Sequence, residues 1–317
     1  MSDERKIKLQ NVILLLQSQG FSVSSFIHTN SCFDLVAKRQ KISLLIKVFD
    51  NVDSLRSEQA GDLEKLGKIF NSSVLIIGKK TKKFILENSS IYSRYGISVV
   101  NIKTFSDFLT GKMPSVSSFK GRDIVELDSE KLKKIRENKK IPVSEIAHAI
   151  GTTPESLNRY EHGAKASLQT AKKLEDYFNT ELIQQIDLFD SEKFDLDNKE
   201  KKSDLFSDKP ENEALEKMHS LGFKMQEFKH APFKVLSNPD DKLIISPEES
   251  KIKIKRKAIV MRQAKDALGT HSVIITKQEF SRKNIGGSAL IQEEELDSFS
   301  RFKELLELIK EREKSKD

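Results

Sequence analysis

The stretch that most constrains this chain is IPVSEIAHAIGTTPESLNRYEHG, residues 141–163. Ile146, Ala147 and Ile150 recur at helical spacing, and Ala147 is small where a second helix has to cross closely. Gly151 supplies a turn in which positive φ is favoured. Thr152 and Thr153 are both candidate caps for the next helix, and Thr152 with Glu155 has capping-box spacing. Pro154 then falls just inside that helix, where its missing N–H costs nothing. Leu157 is the apolar anchor, and Gly163 ends the helix at the position after its cap. Leu132, Ile135 and Arg136 belong to an earlier helix, and Leu168, Ala171, Leu174 and Phe178 to a later one. The stretch therefore predicts two short helices joined by a tight turn, inside a bundle of four or five.

This arrangement resembles the helix-turn-helix of the phage-repressor and Cro class, matched over the full motif and about a sixth of the chain. The resemblance implies that the second helix enters the major groove of double-stranded DNA, N-terminus first. It puts Thr153, Pro154, Glu155 and Arg159 at base-facing positions, with Ser144 and Ser156 able to bond phosphates. Arg159 suits guanine O6 and N7, and Glu155 suits a cytosine amine. Pro154, where the class commonly has a polar amide, offers only apolar contact. Lys131, Lys133, Lys134, Arg136, Lys139 and Lys140 form a basic run before the motif, while Glu155 and Glu161 oppose phosphate. A structural helical hairpin that does not touch DNA is the competing reading. His148 has no second His or Cys at metal spacing and reads as a surface or half-buried histidine.

On the N-terminal side, Val12, Ile13, Leu15 and Leu16 predict a helix that Gly20 stops. CFDLVAK and ISLLIKVFD read as strands across the polar turn RQK. A helix containing Leu55, Ala60, Leu63, Leu66 and Ile69 follows, then the strands SVLIIG and ISVVNI and a helix around Phe105 and Leu109. The order α-β-β-α-β-β-α predicts an α/β sandwich over residues 1–115, ahead of a wholly helical domain at 127–182. Residues 183–213, with Asp187, Asp190, Asp195, Asp197, Asp204 and Asp208, read as an acidic flexible linker or as a short partner-docking motif. Residues 214–317 echo the first segment: EKMHSLGF repeats LLLQSQGF, HSVIITKQ repeats SSVLIIGKK, and FSRFKELL repeats FSDFL. A C-terminal α/β domain that is a diverged copy of the first is the expectation.

FDLVAKRQKISLLIKVFDN resembles the core hairpin of the PD-(D/E)xK nuclease superfamily, which implies a restriction-endonuclease-like fold. Asp34 opens the first strand and Lys47 stands at the final lysine. That chemistry needs two acids to hold Mg²⁺, and the position two before Lys47 is Leu45. The expectation is a retained fold without catalysis, with no catalytic residue, metal or cofactor. PFKVLSNPDDKLIIS, with Asp240 and Asp241 in its turn, is the corresponding C-terminal hairpin and has no D…ExK arrangement. KIKIKRK from Lys251 reads either as a basic stripe for a nucleic-acid backbone or as a soluble edge strand.

Over 317 residues, 55 Lys and Arg against 48 Asp and Glu leave a net charge of +7, compatible with a polyanionic partner. The single cysteine, Cys32, excludes an internal disulfide and points to a reducing compartment. Neither a signal peptide nor a membrane span is legible, so a cytoplasmic protein without membrane association is expected. Through FDLVAK, LLIKVFDN, YSRYGISVVN and NRYEHG the chain resembles archaeal helix-turn-helix transcriptional regulators. The leading expectation is a sequence-specific DNA-binding regulator acting as a homodimer. The alternatives are a metal-dependent nuclease or DNA-processing enzyme guided by the helix-turn-helix, and a non-catalytic interaction scaffold.

Overall fold

A computed structural model describes residues 3–27, 31–119, 122–190, 206, 210, 212–237 and 241–315. Asp195, Asp197, Asp204 and Asp208 of the expected linker, and Asp240 of the C-terminal hairpin, lie outside them.

The N-terminal segment opens with α1 (Asp3–Ser18), ended by Gly20 at φ 78°. β1 (Ser22–Ser25), β2 (Leu35–Arg39) and β3 (Ile42–Val48) form an antiparallel meander. The expected hairpin is present, with Val36 opposite Leu45 and Gln40 in the turn at φ 51°. A short 3-10 turn over Val52–Ser54 precedes α2 (Ser57–Phe70), so Leu55, expected inside the helix, is buried just ahead of it. In α2, a Cβ on Gly67 would come within 2.4 Å of Val74 Cγ2, so glycine is needed for that approach. β4 (Ser73–Ile77), β5 (Ser90–Arg94), β6 (Ile97–Val100) and α3 (Ile102–Leu109) follow, with β4 parallel and β5 antiparallel to β6. β1 and β5 are additional to the expected pattern.

β7 (Val116–Phe119) and β8 (Arg122–Val125) form a hairpin, and β7 pairs in parallel with β5. α4 (Ser129–Asn138), α5 (Val143–Ile150), α6 (Pro154–Glu161), β9 (Ala166–Ser167) and α7 (Leu168–Phe178) come next. The segment expected to be wholly helical thus contains a two-residue strand, whose Ala166 pairs with Val125 of β8. The strand order is β4-β6-β5-β7-β8-β9. Leu132, Ile146, Ile150, Leu157, Ala171, Leu174 and Phe178 make one buried cluster between the helices. Residues 183–190, expected in the linker, are packed: Ile183 bridges Leu127, Leu188 is buried, and Phe189 meets Phe108 edge to face at 4.8 Å.

The C-terminal segment comprises α8 (Glu213–Ser220), β10 (Met225–Glu227), β11 (Val235–Ser237), β12 (Leu243–Pro247) and α9 (Lys251–Leu268). β13 (His271–Thr276), β14 (Asn284–Ile285), β15 (Ser288–Gln292) and α10 (Phe302–Lys314) complete it. Its sheet order is β10-β11-β12-β13-β15-β14. α8 and α10 pack on one face and α9 on the other. KIKIKRK, for which an edge strand is one of two readings, forms the first two turns of α9. Lys and Ile alternate there, but Ile254, Ala258, Met261, Ala264 and Leu268 are the buried positions, and they recur at helical spacing.

By contact the chain forms two compact units. One holds residues 1–5, 49–54 and 75–190, and the other residues 6–48, 55–74 and 191–317. In the second unit Cys32 N donates to the carbonyl of His230, and Asp62 Oδ2 accepts from Lys229 N at 3.1 Å and His230 N at 2.8 Å. Among the described residues no helix is long and apolar enough to cross a membrane.

Candidate nucleic-acid interface

The turn between α5 and α6 is built as the residues dictate. Gly151 adopts φ 71°, and its N–H and that of Thr152 bond back to α5. Thr153, not Thr152, caps α6. Its hydroxyl accepts from Ser156 N at 3.2 Å, so the expected Thr152–Glu155 capping box does not form. The reason is Pro154, which disfavours helical backbone in the residue before it and holds Thr153 extended at φ −99°, ψ 152°. Lys173 Nζ donates to the carbonyl of Ile150 at 3.0 Å, satisfying an end group of α5.

Leu157 seats α6 in the core, and Thr153, Pro154, Glu155 and Arg159 are exposed on it. Ser144 on α5 is exposed, and Ser156 is half-buried with its Oγ 3.1 Å from Thr153 Oγ1. No described residue forms an ion pair or hydrogen bond with the Arg159 guanidinium. His148 is exposed.

Two charges that weighed on the sequence reading are engaged inside the fold. Glu161 is 6% exposed and binds Arg136 in a bidentate pair, Nε to Oε1 at 2.6 Å and Nη2 to Oε2 at 2.8 Å. The hydrogen-bonded Glu161 carboxylate raises the Arg136 pKa. Glu161 is therefore not a surface anion opposing phosphate, and Arg136 is not a free cation of the basic run. Lys131 Nζ donates to the Glu181 carbonyl, and Lys134 pairs with Glu130. The spacing of 25 residues between Arg136 and Glu161 left this pair invisible in the sequence. Ser129, also missed, donates to the Tyr160 carbonyl at 2.6 Å and ties the end of α6 to the start of α4.

Asp34 and Lys47 are brought together in the core. Lys47 Nζ lies 3.0 Å from Asp34 Oδ1, and Val48 N donates to Asp34 Oδ2 at 2.8 Å. Lys47 Nζ also donates to the Ser31 carbonyl at 2.5 Å. Leu45 is fully buried. These residues do not fit a Mg²⁺ site: both oxygens of Asp34 are engaged by donors, and no described group of three His, Cys, Asp or Glu could hold a metal ion. Burial, and next to it Asp62, pushes the neighbouring Cys32 thiol far up, with Lys47 opposing, which leaves it inert as a nucleophile.

Residues 5–114 match the PD-(D/E)XK superfamily domain, and residues 132–184 match the helix-turn-helix family. Over nearly its whole length the chain is similar to archaeal proteins named "Putative HTH-type transcriptional regulatory protein". The one from Archaeoglobus fulgidus is 32% identical, over 96% of this chain and 97% of that protein. The one from Methanocaldococcus jannaschii is 32% identical, over 96% of both, and the one from Pyrococcus furiosus 31%, over 94% and 95%. No solved structure matches.

Proposed function

The chain belongs to this archaeal family of helix-turn-helix regulatory proteins, and from that premise we propose that it is a sequence-specific, duplex-DNA-binding transcriptional regulator of the repressor/Cro type that acts without catalysis. The observation that carries the reading is the outer face of α6. Thr153, Pro154, Glu155 and Arg159 stand exposed on a helix whose cap, anchor and far end are all fixed from within. Arg159 reads guanine through two parallel N–H···O/N bonds, Glu155 accepts from cytosine, and Pro154 touches a thymine methyl. Ser144 and Ser156 hold phosphates and set register. A homodimer places two such helices about one duplex turn apart on a pseudo-palindrome.

The experiment is selection of bound sequences from a random duplex library. An enriched palindrome supports the reading, and no enrichment above input defeats it. On the selected site, Arg159→Ala is expected to cost about 1–3 kcal/mol and to relax one base position. Equal losses on selected and unrelated duplexes would make Arg159 a phosphate contact instead.

The C-terminal segment is read as a diverged copy of the first. Three features support this. Gly20–Phe21 and Gly222–Phe223 end α1 and α8 in the same way, with φ 78° and 100° and the Phe N–H returning to Leu16 and Met218. Phe26 N donates to Asp34 O and Asp34 N to Ile46 O, while Phe228 N donates to Lys234 O and Lys234 N to Ile245 O. Edge-to-face rings, Phe26 with Phe33 and Phe228 with Phe233, accompany the two patterns. On this reading Lys234 and Ser246 occupy the places of Asp34 and Lys47, so the second copy has lost both halves of the nuclease-like pair.

A further inference from the structure

We infer that the exposed face of α9 is a second, sequence-independent contact to duplex DNA, in which Lys253, Lys255 and Arg256 bind backbone phosphates. The inference rests on the reading of the chain as a DNA-binding protein and adds a surface that the helix-turn-helix does not contain. From Lys251 to Gln263 the helix carries six basic residues, Lys251, Lys253, Lys255, Arg256, Lys257 and Arg262, and no acid. Three of them, Lys253, Lys255 and Arg256, are exposed and make no ion pair or hydrogen bond with a described residue. Lys251 rests on the Phe280 ring, and Arg262 pairs loosely with Asp266 at 4.0 Å.

The cost of this arrangement points to an anion outside the fold. Cations crowd the first turns of α9, where the macrodipole favours negative charge. Like charges at i, i+4, such as Lys251 with Lys255 and Lys253 with Lys257, add repulsion. Lys257 is partly buried on the same helix, and that burial pushes its pKa down, with Glu248 opposing and Lys234, which lies off the helix, adding to it. Nothing in α9's packing needs these charges, because the helix is anchored by Ile254, Ala258, Met261 and Ala264 on its opposite side.

The face fits a duplex better than a lipid surface. Residues 251–262 span about 17 Å, half a duplex turn of roughly 34 Å. A membrane-binding helix lays a continuous apolar face into the bilayer. The apolar face of α9 is instead spent on the sheet, which leaves only Ile252 and Ile259, each 69% exposed, among the exposed charges.

The test compares the full-length protein with Lys253→Gln/Lys255→Gln/Arg256→Gln, all on the surface, and with Lys41→Gln/Lys112→Gln/Lys303→Gln, which removes the same charge from exposed sites elsewhere. Each binds a labelled duplex of unrelated sequence over a salt series, with and without Arg159→Ala. The α9 variant is expected to make the slope of log K against log salt shallower by about 2–3 and to weaken binding about tenfold or more at low salt, in both backgrounds. The control variant should move the slope by less than one. An α9 variant that behaves like the control on the duplex overturns the inference, as does one that keeps its duplex slope and loses binding to phosphatidylserine vesicles in a parallel flotation assay. Because the probe has unrelated sequence, this outcome is independent of the library selection. Failure to enrich a site leaves the α9 result standing, and an unchanged slope leaves an enriched site standing.

Discussion

Arg136 and Glu161 show how much a single pair can redirect a functional reading. As sequence, one extends a basic run and the other is an acid at the end of the motif. As structure, they are a bidentate pair tying α6 to α4, with Glu161 carried inside the bundle. Removing one partner from such a pair leaves the other charge desolvated. Arg136→Ala is expected to lower the stability of the helical bundle by about 3 kcal/mol, toward the lower end for a buried pair because Arg136 keeps an edge in water. Glu161→Gln, which keeps the shape and leaves the more exposed partner unpaired, should cost less. Urea unfolding followed by hydrogen exchange of the bundle amides checks both. A loss below 1 kcal/mol for Arg136→Ala would mean that apolar packing holds the helices without the pair. Arg159→Ala, on the exposed face of the same helix, should leave the unfolding midpoint unchanged.

Among the elements, the cap of α6 gives the sharpest contrast between reading and structure. Capping-box spacing favoured Thr152, but a residue before proline is pushed to extended backbone, and that makes Thr153 the cap. Thr153→Ala is therefore expected to cost about 1 kcal/mol and Thr152→Ala a few tenths, read as a shift in the thermal midpoint. Equal losses would return the cap to both threonines. The same rule was available in the sequence, as were the helices around Ile146, Leu157 and Leu174 and the hairpin joining β2 to β3, because apolar periodicity and a turn residue agree at each. β1, β5 and β9 were not legible. SVSS, SIYSR and AS carry little alternation, and they become strands because a neighbouring strand satisfies their backbone groups. KIKIKRK misled for the opposite reason: its local period of two is overridden by the helical spacing of Ile254, Ala258 and Met261, which extends beyond it. Of the proposed interface, the residue types and their order along α6 were readable, whereas the partners that free or occupy each charge were not.

For the whole molecule, the question is whether a chain with a nuclease-like segment and a helix-turn-helix cuts the DNA that it binds. On the proposed reading it does not, and the geometry around Asp34 supports that reading. Mg²⁺ demands near-octahedral oxygen ligation and gives up its waters reluctantly, so a lone carboxylate holds it weakly. Here the carboxylate already accepts from Lys47 and Val48, and Leu45 fills the position of the second acid with a fully buried side chain. To take the ion, Asp34 would have to give up its ion pair with Lys47, an ammonium that is 5% exposed. The pair then serves the unit that also holds the C-terminal segment, joined to it through the Cys32–His230 backbone bond and the grip of Asp62 on the Lys229 and His230 amides. Asp34→Ala is expected to destabilise that unit by about 3–5 kcal/mol while duplex binding through α6 persists at temperatures where the unit stays folded. Incubation of the unaltered protein with plasmid, linear or single-stranded DNA and Mg²⁺ or Mn²⁺ should give no cleavage. Cleavage that EDTA and Asp34→Ala both abolish, in a variant shown by circular dichroism to remain folded, would replace the regulator reading with that of a metal-dependent nuclease targeted by the helix-turn-helix and would require the Asp34–Lys47 pair to open when metal and substrate arrive.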